Sequence, residues 1–280
     1  PYGARNWWPC KDTPNDKADS VNISITVPSD LIVASNGLLV DETESSGWKT
    51  YHWEERYPIA TYLVSLAIYP YQKFYDWFVY GENDSMRLDY YVYPDHYNMV
   101  YDNYMMTKNM ISDFSDRFGL YPFIEEKYGH AEFESGGGIE HQTLSSMKGY
   151  SQHLISHELG HQWWGNMVTC ANFHHIWLNE GFATYSQAMW YETRDNSIEV
   201  LHNEMSTKEY WGSGTIYVED TINVGDIFNV NLSYNKASWV LHMLRHIVGD
   251  PLFFGGLREY SDQYRYSSAV TENFCDVMEE

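Results

Sequence analysis

His157, Glu158 and His161 fill the pattern His-Glu-x-x-His inside the stretch HLISHELGHQWWGN, residues 153–166. Residues four apart on a helix share one face, a turn apart. Two imidazoles can therefore grip one zinc ion at about 2.0–2.1 Å while the glutamate between them reaches a water on that ion. His153 repeats the spacing, but it stands eight residues from His161, about 12 Å along a helix that rises ~1.5 Å per residue. One ion cannot join both, so His153 is expected beside the site or on the surface. The third ligand must come from elsewhere. Positions three and six beyond His161 are Trp164 and Met167, which rules out a motif continued by Gly and His. Glu180, in WLNEGFA, fits better: an unpaired carboxylate among apolar neighbours is costly to bury, and a metal removes that cost. His174 and His175, near the start of the same expected helix, are rivals. Two neutral imidazoles and a carboxylate leave a fourth position open, as in a catalytic zinc, with Glu158 placed to accept a proton during attack on a carbonyl. The chemistry this implies is metal-assisted hydrolysis of an amide or similar bond.

The elements that must hold these groups change character along the chain. VNISITVP (21–28) alternates, with Val21, Ile23, Ile25 and Val27 on one face, and SNG at 35–37 is a turn signal. ATYLVSLAIYPY (60–71) reads as a longer buried strand and MRLDYYVYP (86–94) as another. After Pro94, residues 95–118 have helix length, an Asp at the start and a Gly just past the end. YGHAEFESGGGIEHQTL (128–144) reads as a strand with a Gly-rich bend, and 174–192 as a helix with Trp177, Ala183 and Trp190 among its apolar positions. Near the far end, Val240, Leu241, Leu244, Ile247 and Val248 are expected on the buried side of an amphipathic helix closed by Gly249, with Tyr234 at its start. The division expected is a β domain over 1–94 and a mixed, largely helical domain over 95–280, an α+β chain.

Composition narrows the partners. The 280 residues carry 17 basic against 39 acidic side chains, a net charge of −22, which argues against nucleic acid, whose phosphates need basic patches. No apolar run approaches the ~18 residues of a membrane span, and no leader-like segment opens the chain. Cys10, Cys170 and Cys275 are too few and too scattered for a disulfide scaffold or a Cys-based zinc site. The acidic, Tyr- and Trp-rich composition, with sequons at Asn22, Asn83 and Asn231, leans towards an extracytoplasmic setting.

HELGHQWWGN, followed after a gap by WLNEGFATY, closely resembles the aminopeptidase N (membrane alanyl aminopeptidase) family of zinc gluzincins. GGGIEHQT (136–143) resembles that family's exopeptidase motif Gly-x-Met-Glu-Asn, and SYNKASWVLHML (233–244) the segment with its transition-state tyrosine. PYGARNWWPCKDTP (1–14) resembles a stretch inside its amino-terminal β domain. The resemblance implies the later part of a β-sandwich or saddle-like domain followed by a thermolysin-like α/β peptidase domain. It also implies one zinc on His157, His161 and Glu180, with Glu158 as general base. Peptides with a free amino end would be the substrates, the α-ammonium on Glu140 beside Gly137, Gly138, Ile139 and His141, and Tyr234 would stabilise the oxyanion. Two departures stand out. The usual Met is Ile139, which is stiffer at χ1, and the usual Asn is His141, which ordinarily titrates near neutrality. Relatives also extend well beyond both ends, so a partial chain is expected, with an exposed sheet edge, a cleft open on one side and a second amine-binding side chain lying upstream. An endopeptidase with the same metal site, an epoxide hydrolase side activity and a weakly active or non-catalytic fragment are the rival readings.

Overall fold

The computed structural model describes residues 3–280; Pro1 and Tyr2, which open the segment 1–14, lie outside the described residues. Apart from 3₁₀ turns at Ala4–Asn6 and Thr61–Leu63, the regular elements of the first part of the chain are strands: β1 (Lys17–Ala18), β2 (Val21–Pro28), β3 (Ile32–Ser35), β4 (Leu38–Ser45), β5 (Trp48–Glu55), β6 (Ile59–Ala60) and β7 (Leu66–Tyr69). They form an antiparallel sheet in the order β2-β5-β4 and two ribbons, β3-β7 and β1-β6. The alternation of β2 is kept, with Asn22, Ser24 and Thr26 exposed and Val27 buried. The turn at 35–37 needs its glycine: Gly37 has φ +69°, and a Cβ there would lie 2.0 Å from the Glu54 carbonyl oxygen. The run 60–71 is not one buried strand. A 3₁₀ turn at Thr61–Leu63 separates β6 from β7, and the freed Leu63 carbonyl accepts from the Asn36 amide (3.0 Å) and the Gln142 N–H (3.3 Å).

The next sheet is mixed. It comprises β8 (Gln72–Val79), β9 (Ser85–Val92), β10 (Lys127–Glu132), β11 (Gly138–Ile139) and β12 (Ser145–Met147), in the order β11-β12-β10-β9-β8. The central pairs β9-β10 and β10-β12 are parallel and the outer pairs antiparallel. β8 and β9 precede residue 94, yet they hydrogen-bond into this sheet rather than into those of the first part. Both faces are covered, which explains the unbroken run YYVY (90–93). Leu88, Tyr90 and Val92 join the main core, while Tyr91 and Ala131 pack with Val33, Tyr51 and Trp53 of the first part. The helix expected over 95–118 is two: α1 (Tyr97–Tyr104) and α2 (Thr107–Phe118). Between them the hydrogen bonding slips by a residue, the Met106 N–H reaching the Asn103 carbonyl.

The remaining elements build the helical layer: α3 (Gln152–Gly160), β13 (Thr169–Cys170), α4 (Trp177–Asp195), α5 (Ile198–Ser206), α6 (Val224–Ile227), α7 (Ala237–Val248), α8 (Asp250–Gln263), β14 (Ser268–Ala269) and α9 (Thr271–Glu279). α4 is the centre of this layer and is buried nearly all round, packed on α3, α5 and α7. A glycine permits one of these contacts, since a Cβ on Gly160 would come within 2.9 Å of the Ser186 side chain across the α3–α4 interface. α7 buries Ala237, Ser238, Leu241, His242 and Arg245. Ile247, expected inside, is 80% exposed, because the buried stripe follows the polar residues that meet α4 and α8 instead. No described helix is long and apolar enough to cross a membrane.

Candidate metal centre and active site

Ser151 starts α3 by accepting the Leu154 N–H (3.3 Å), and His157 lies in its last turn. His161 follows immediately at the C-cap, still in helical conformation, so the one-turn spacing survives the end of the helix. Glu180 comes from the first turn of α4, where the positive end of the helix favours a carboxylate. The three ligand atoms form a small triangle. His157 Nε2 and His161 Nε2 are 3.1 Å apart, and Glu180 Oε2 lies 3.5 and 3.3 Å from them. Donors about 2.0–2.1 Å from a tetrahedral ion sit roughly 3.3 Å from one another, so this triangle has the size a zinc ion requires. His161 Nδ1 lies 3.0 Å from the Trp164 carbonyl oxygen; donating that N–H leaves Nε2 free to ligate. The rivals are elsewhere. His174 contacts the Val218 carbonyl and His175 the Thr271 hydroxyl. His153 lies on the outer side of α3, 3.6 Å from Glu204 and against the Tyr191 ring.

The remaining predicted groups gather around this triangle. Ligand atoms of Glu140, Glu158 and His161 lie within 4.8 Å of one another, all three residues buried. One oxygen of Glu140 and one of Glu158 are buried with no hydrogen-bond partner in the protein. Tyr234 sits in a π-helical turn, Val230–Lys236, with its ring stacked on His157 at 6.1 Å and 15°. That placement depends on Gly181: a Cβ there would lie 2.5 Å from the Ala237 Cβ, so only glycine lets the start of α7 rest on α4. Gly138 has the same role for Glu158, since a Cβ would meet Glu158 Oε1 at 2.3 Å. Gly138 and Ile139 form β11, the edge strand of the mixed sheet, and Gly137 turns into it with φ +80°. His141 is differently placed. Its Nδ1 lies 2.9 Å from the Ser146 hydroxyl, and it lines a groove with Val64, Tyr71, Tyr93 and Phe133. Burial pushes it down to about 3, so it does not titrate near neutrality.

The electrostatics call for a cation. Burial disfavours charge on His161, but Glu140, Glu180 and Glu158 outweigh it and raise the imidazole to about 10. Burial would raise Glu180, and the two histidines instead hold it below the usual carboxylate range. Burial pushes Glu158 well up, with Glu140 and Glu180 adding to the effect against His161. Burial likewise raises the Tyr234 phenol, helped by Glu180 and Glu140, so the hydroxyl keeps its proton. Three buried carboxylates thus surround two imidazoles. Without a metal, a proton on His161 balances part of that charge; a divalent ion would displace the proton and do so more fully.

Several positioning residues carry no motif of their own. Gln162 and Asn166, adjoining His161, hold the exopeptidase-like loop. Gln162 Oε1 accepts the Thr143 N–H (3.0 Å), and the Asn166 amide donates to the Glu140 carbonyl (2.7 Å). From the first part of the chain, Lys17 Nζ donates to the carbonyls of Asn166 (2.8 Å) and Met167 (2.9 Å), and Tyr62 to that of Gly165 (3.3 Å). Gln162 and Asn166 stood inside the quoted motif. Lys17 and Tyr62, more than a hundred residues away, gave no local signal.

The family description "Peptidase family M1 domain" matches residues 139–280, and "Peptidase M1 N-terminal domain" matches residues 1–63. The chain belongs to peptidase family M1. It is 28% identical to Aminopeptidase M1-C of Oryza sativa subsp. japonica over 99% of this chain and 34% of that protein. It is 27% identical to human glutamyl aminopeptidase over 100% of this chain and 32% of that one. The M1 zinc metallopeptidase of Deinococcus radiodurans superimposes with a TM-score of 0.88 at 27% identity, covering 100% of this chain and 64% of that chain. The chain therefore spans about a third of the curated relatives it matches. Its β-sandwich or saddle-like part followed by an α/β part is the fold of these M1 gluzincin structures.

Proposed function

We propose that this M1 chain carries the centre of a zinc aminopeptidase, which removes the first residue from peptides with a free amino end. The observation that carries this reading is the buried, unpartnered carboxylate oxygen of Glu140, grouped with Glu158 and His161 beside the edge strand β11. Such an oxygen is costly to leave bare, and a substrate α-ammonium would supply both the missing charge and the missing donor. It would also fix the scissile carbonyl one residue from the chain end, over the metal triangle. An endopeptidase gains nothing from a carboxylate that closes the cleft in this way.

Zinc held by His157, His161 and Glu180 would act as a Lewis acid and lower the pKa of water bound to it. Glu158, raised by its surroundings, accepts the proton of the attacking water and returns it to the leaving amine. Tyr234, protonated throughout, donates a hydrogen bond to the oxyanion as the carbonyl becomes tetrahedral. Glu140 holds the ammonium, and the β11 backbone, free on one edge, aligns the peptide. The glycines at 137 and 138 let that peptide approach closely.

The test is Glu140→Ala, assayed on amino-acid arylamides and on the same compounds with the amine blocked, alongside zinc content. The expected result is loss of free-amine hydrolysis with zinc retained. Undiminished hydrolysis of free-amine substrates, or efficient cleavage of blocked ones by the parent chain, would remove the exopeptidase assignment.

A further inference from the structure

A second triad of imidazoles lies outside this site. His242 and His246 are one turn apart on α7, and His202 reaches them from α5. One ring nitrogen from each of the three falls within 4.8 Å of the others. The ring centroids are 4.7 Å apart for His242–His246, 5.4 Å for His202–His246 and 5.6 Å for His202–His242. Three imidazoles on one tetrahedral ion, with N–metal bonds of about 2.0–2.1 Å, would have ring centres roughly 5 Å apart. The catalytic pair His157–His161 shows 4.6 Å. The spacing thus suits a shared ion, and His202 and His246 are exposed to the solvent that would bring it.

We propose that His202, His242 and His246 form a second divalent transition-metal site, distinct from the catalytic centre, that ties α5 to α7. The anchor is His242, only 3% exposed. Its Nδ1 lies 3.1 Å from the Tyr185 hydroxyl of α4, and donating that N–H leaves Nε2 as the ligand, as outer-shell partners do in metal sites. The nearby positive charge of Arg245 is occupied by Glu192 (2.9 Å) and Asp250 (2.8 Å). An all-imidazole set suits Zn²⁺ or Cu²⁺, with Cu²⁺ bound more tightly at equal ligation, and excludes the hard ions Mg²⁺ and Ca²⁺. With three protein ligands, water completes the shell at the surface.

The experiment uses the intact chain, equilibrated with buffered free Zn²⁺ at low micromolar concentration, freed of unbound ion and analysed for metal by mass spectrometry. The expected content is two zinc ions in the parent and one in the double variant His202→Ala/His246→Ala, both of whose altered positions are exposed. Cu²⁺ added to the zinc-loaded parent should give an electron paramagnetic resonance spectrum with nitrogen hyperfine structure from imidazoles, absent in the double variant. Tyr185→Phe should keep the site but weaken it roughly 10–100-fold, by releasing the His242 ring. One zinc ion in the parent, or equal metal content and equal copper spectra in parent and double variant, would overturn the proposal.

Discussion

The two side-chain triads are each built on a histidine pair at i and i+4, and differ in everything around it. The triad His157, His161 and Glu180 is buried except for a partly covered His157, includes a carboxylate and is ringed by two further carboxylates, Glu140 and Glu158. Its geometry is fixed by packing against glycines at 138, 160 and 181, where a methyl group would collide with a neighbour. The triad His202, His242 and His246 has no carboxylate, is exposed at two of its three members, and is anchored through His242, which meets the Tyr185 hydroxyl and the Trp239 ring. Ligand identity alone therefore does not make a reactive centre. Catalysis needs the low-dielectric shell, in which carboxylates have shifted affinities for protons and a base stands beside the metal. A surface triad can hold an ion without doing chemistry on it.

That contrast can be broken or sharpened by measurement. The largest effect is expected at the buried site. Removing its metal with a chelator should abolish peptidase activity, and Glu158→Gln should lower kcat by about 10²–10⁴-fold with the metal still bound, checked by turnover beside metal content. Loss of zinc in that variant would mean that Glu158 acts as a ligand rather than as the base. Tyr234→Phe should cost roughly 10²–10³-fold in kcat with little change in KM, since its hydrogen bond forms only as the oxyanion develops. Gly138→Ala comes next: its new Cβ must displace the Glu158 carboxylate, and a shift of this kind lowers kcat by up to ~10²-fold without touching the ligands. An unchanged rate there would show that the base is less tightly held than its contacts imply.

The smallest effect concerns a histidine buried for packing rather than binding. His130, on β10, is enclosed by Tyr90, Tyr104 and Tyr128, and burial lowers it to about 3. The unfolded chain, with its histidine near 6.5, then binds this proton more readily than the folded one. Its contribution to stability is full above about pH 6.5 and is lost as pH falls towards 3. Denaturant unfolding across that range should show a shallower acid loss for His130→Phe than for the parent; identical slopes would refute the assignment.

Much of the candidate metal centre was legible from local spacing, because helix geometry converts a four-residue interval into a shared face. His157, Glu158 and His161 followed from one turn of helix, and His153 was set aside by helix rise. Glu180 was favoured by its apolar neighbours, although spacing alone left His174 and His175 open. Glu140 and Tyr234 rested on resemblance, since a strand glutamate and one of 25 tyrosines carry no periodic signature. Less was legible where long-range contacts override local pattern. The run 60–71 breaks where the Leu63 carbonyl accepts from both Asn36 and Gln142, and α7 leaves Ile247 outside because its buried face runs through Ser238, His242 and Arg245 beside Ala237 and Leu241. The second triad was equally hidden, since His202 precedes His242 by a loop and two helical segments.

By itself, then, the sequence determined which residue types stand one helical turn apart, with a glutamate between them, and the expectation of an open metal position, all consequences of residue identity at short separation. The tertiary structure decided which carboxylates gather at that candidate site, by burying Glu140, Glu158 and Glu180 around two imidazoles. It also decided that the exopeptidase-like loop is held by Gln162 and Asn166, and the loop following His161 by Lys17 and Tyr62. The physical reason is that burial and long-range hydrogen bonds belong to no single segment: they exist only once distant parts of the chain exclude water together.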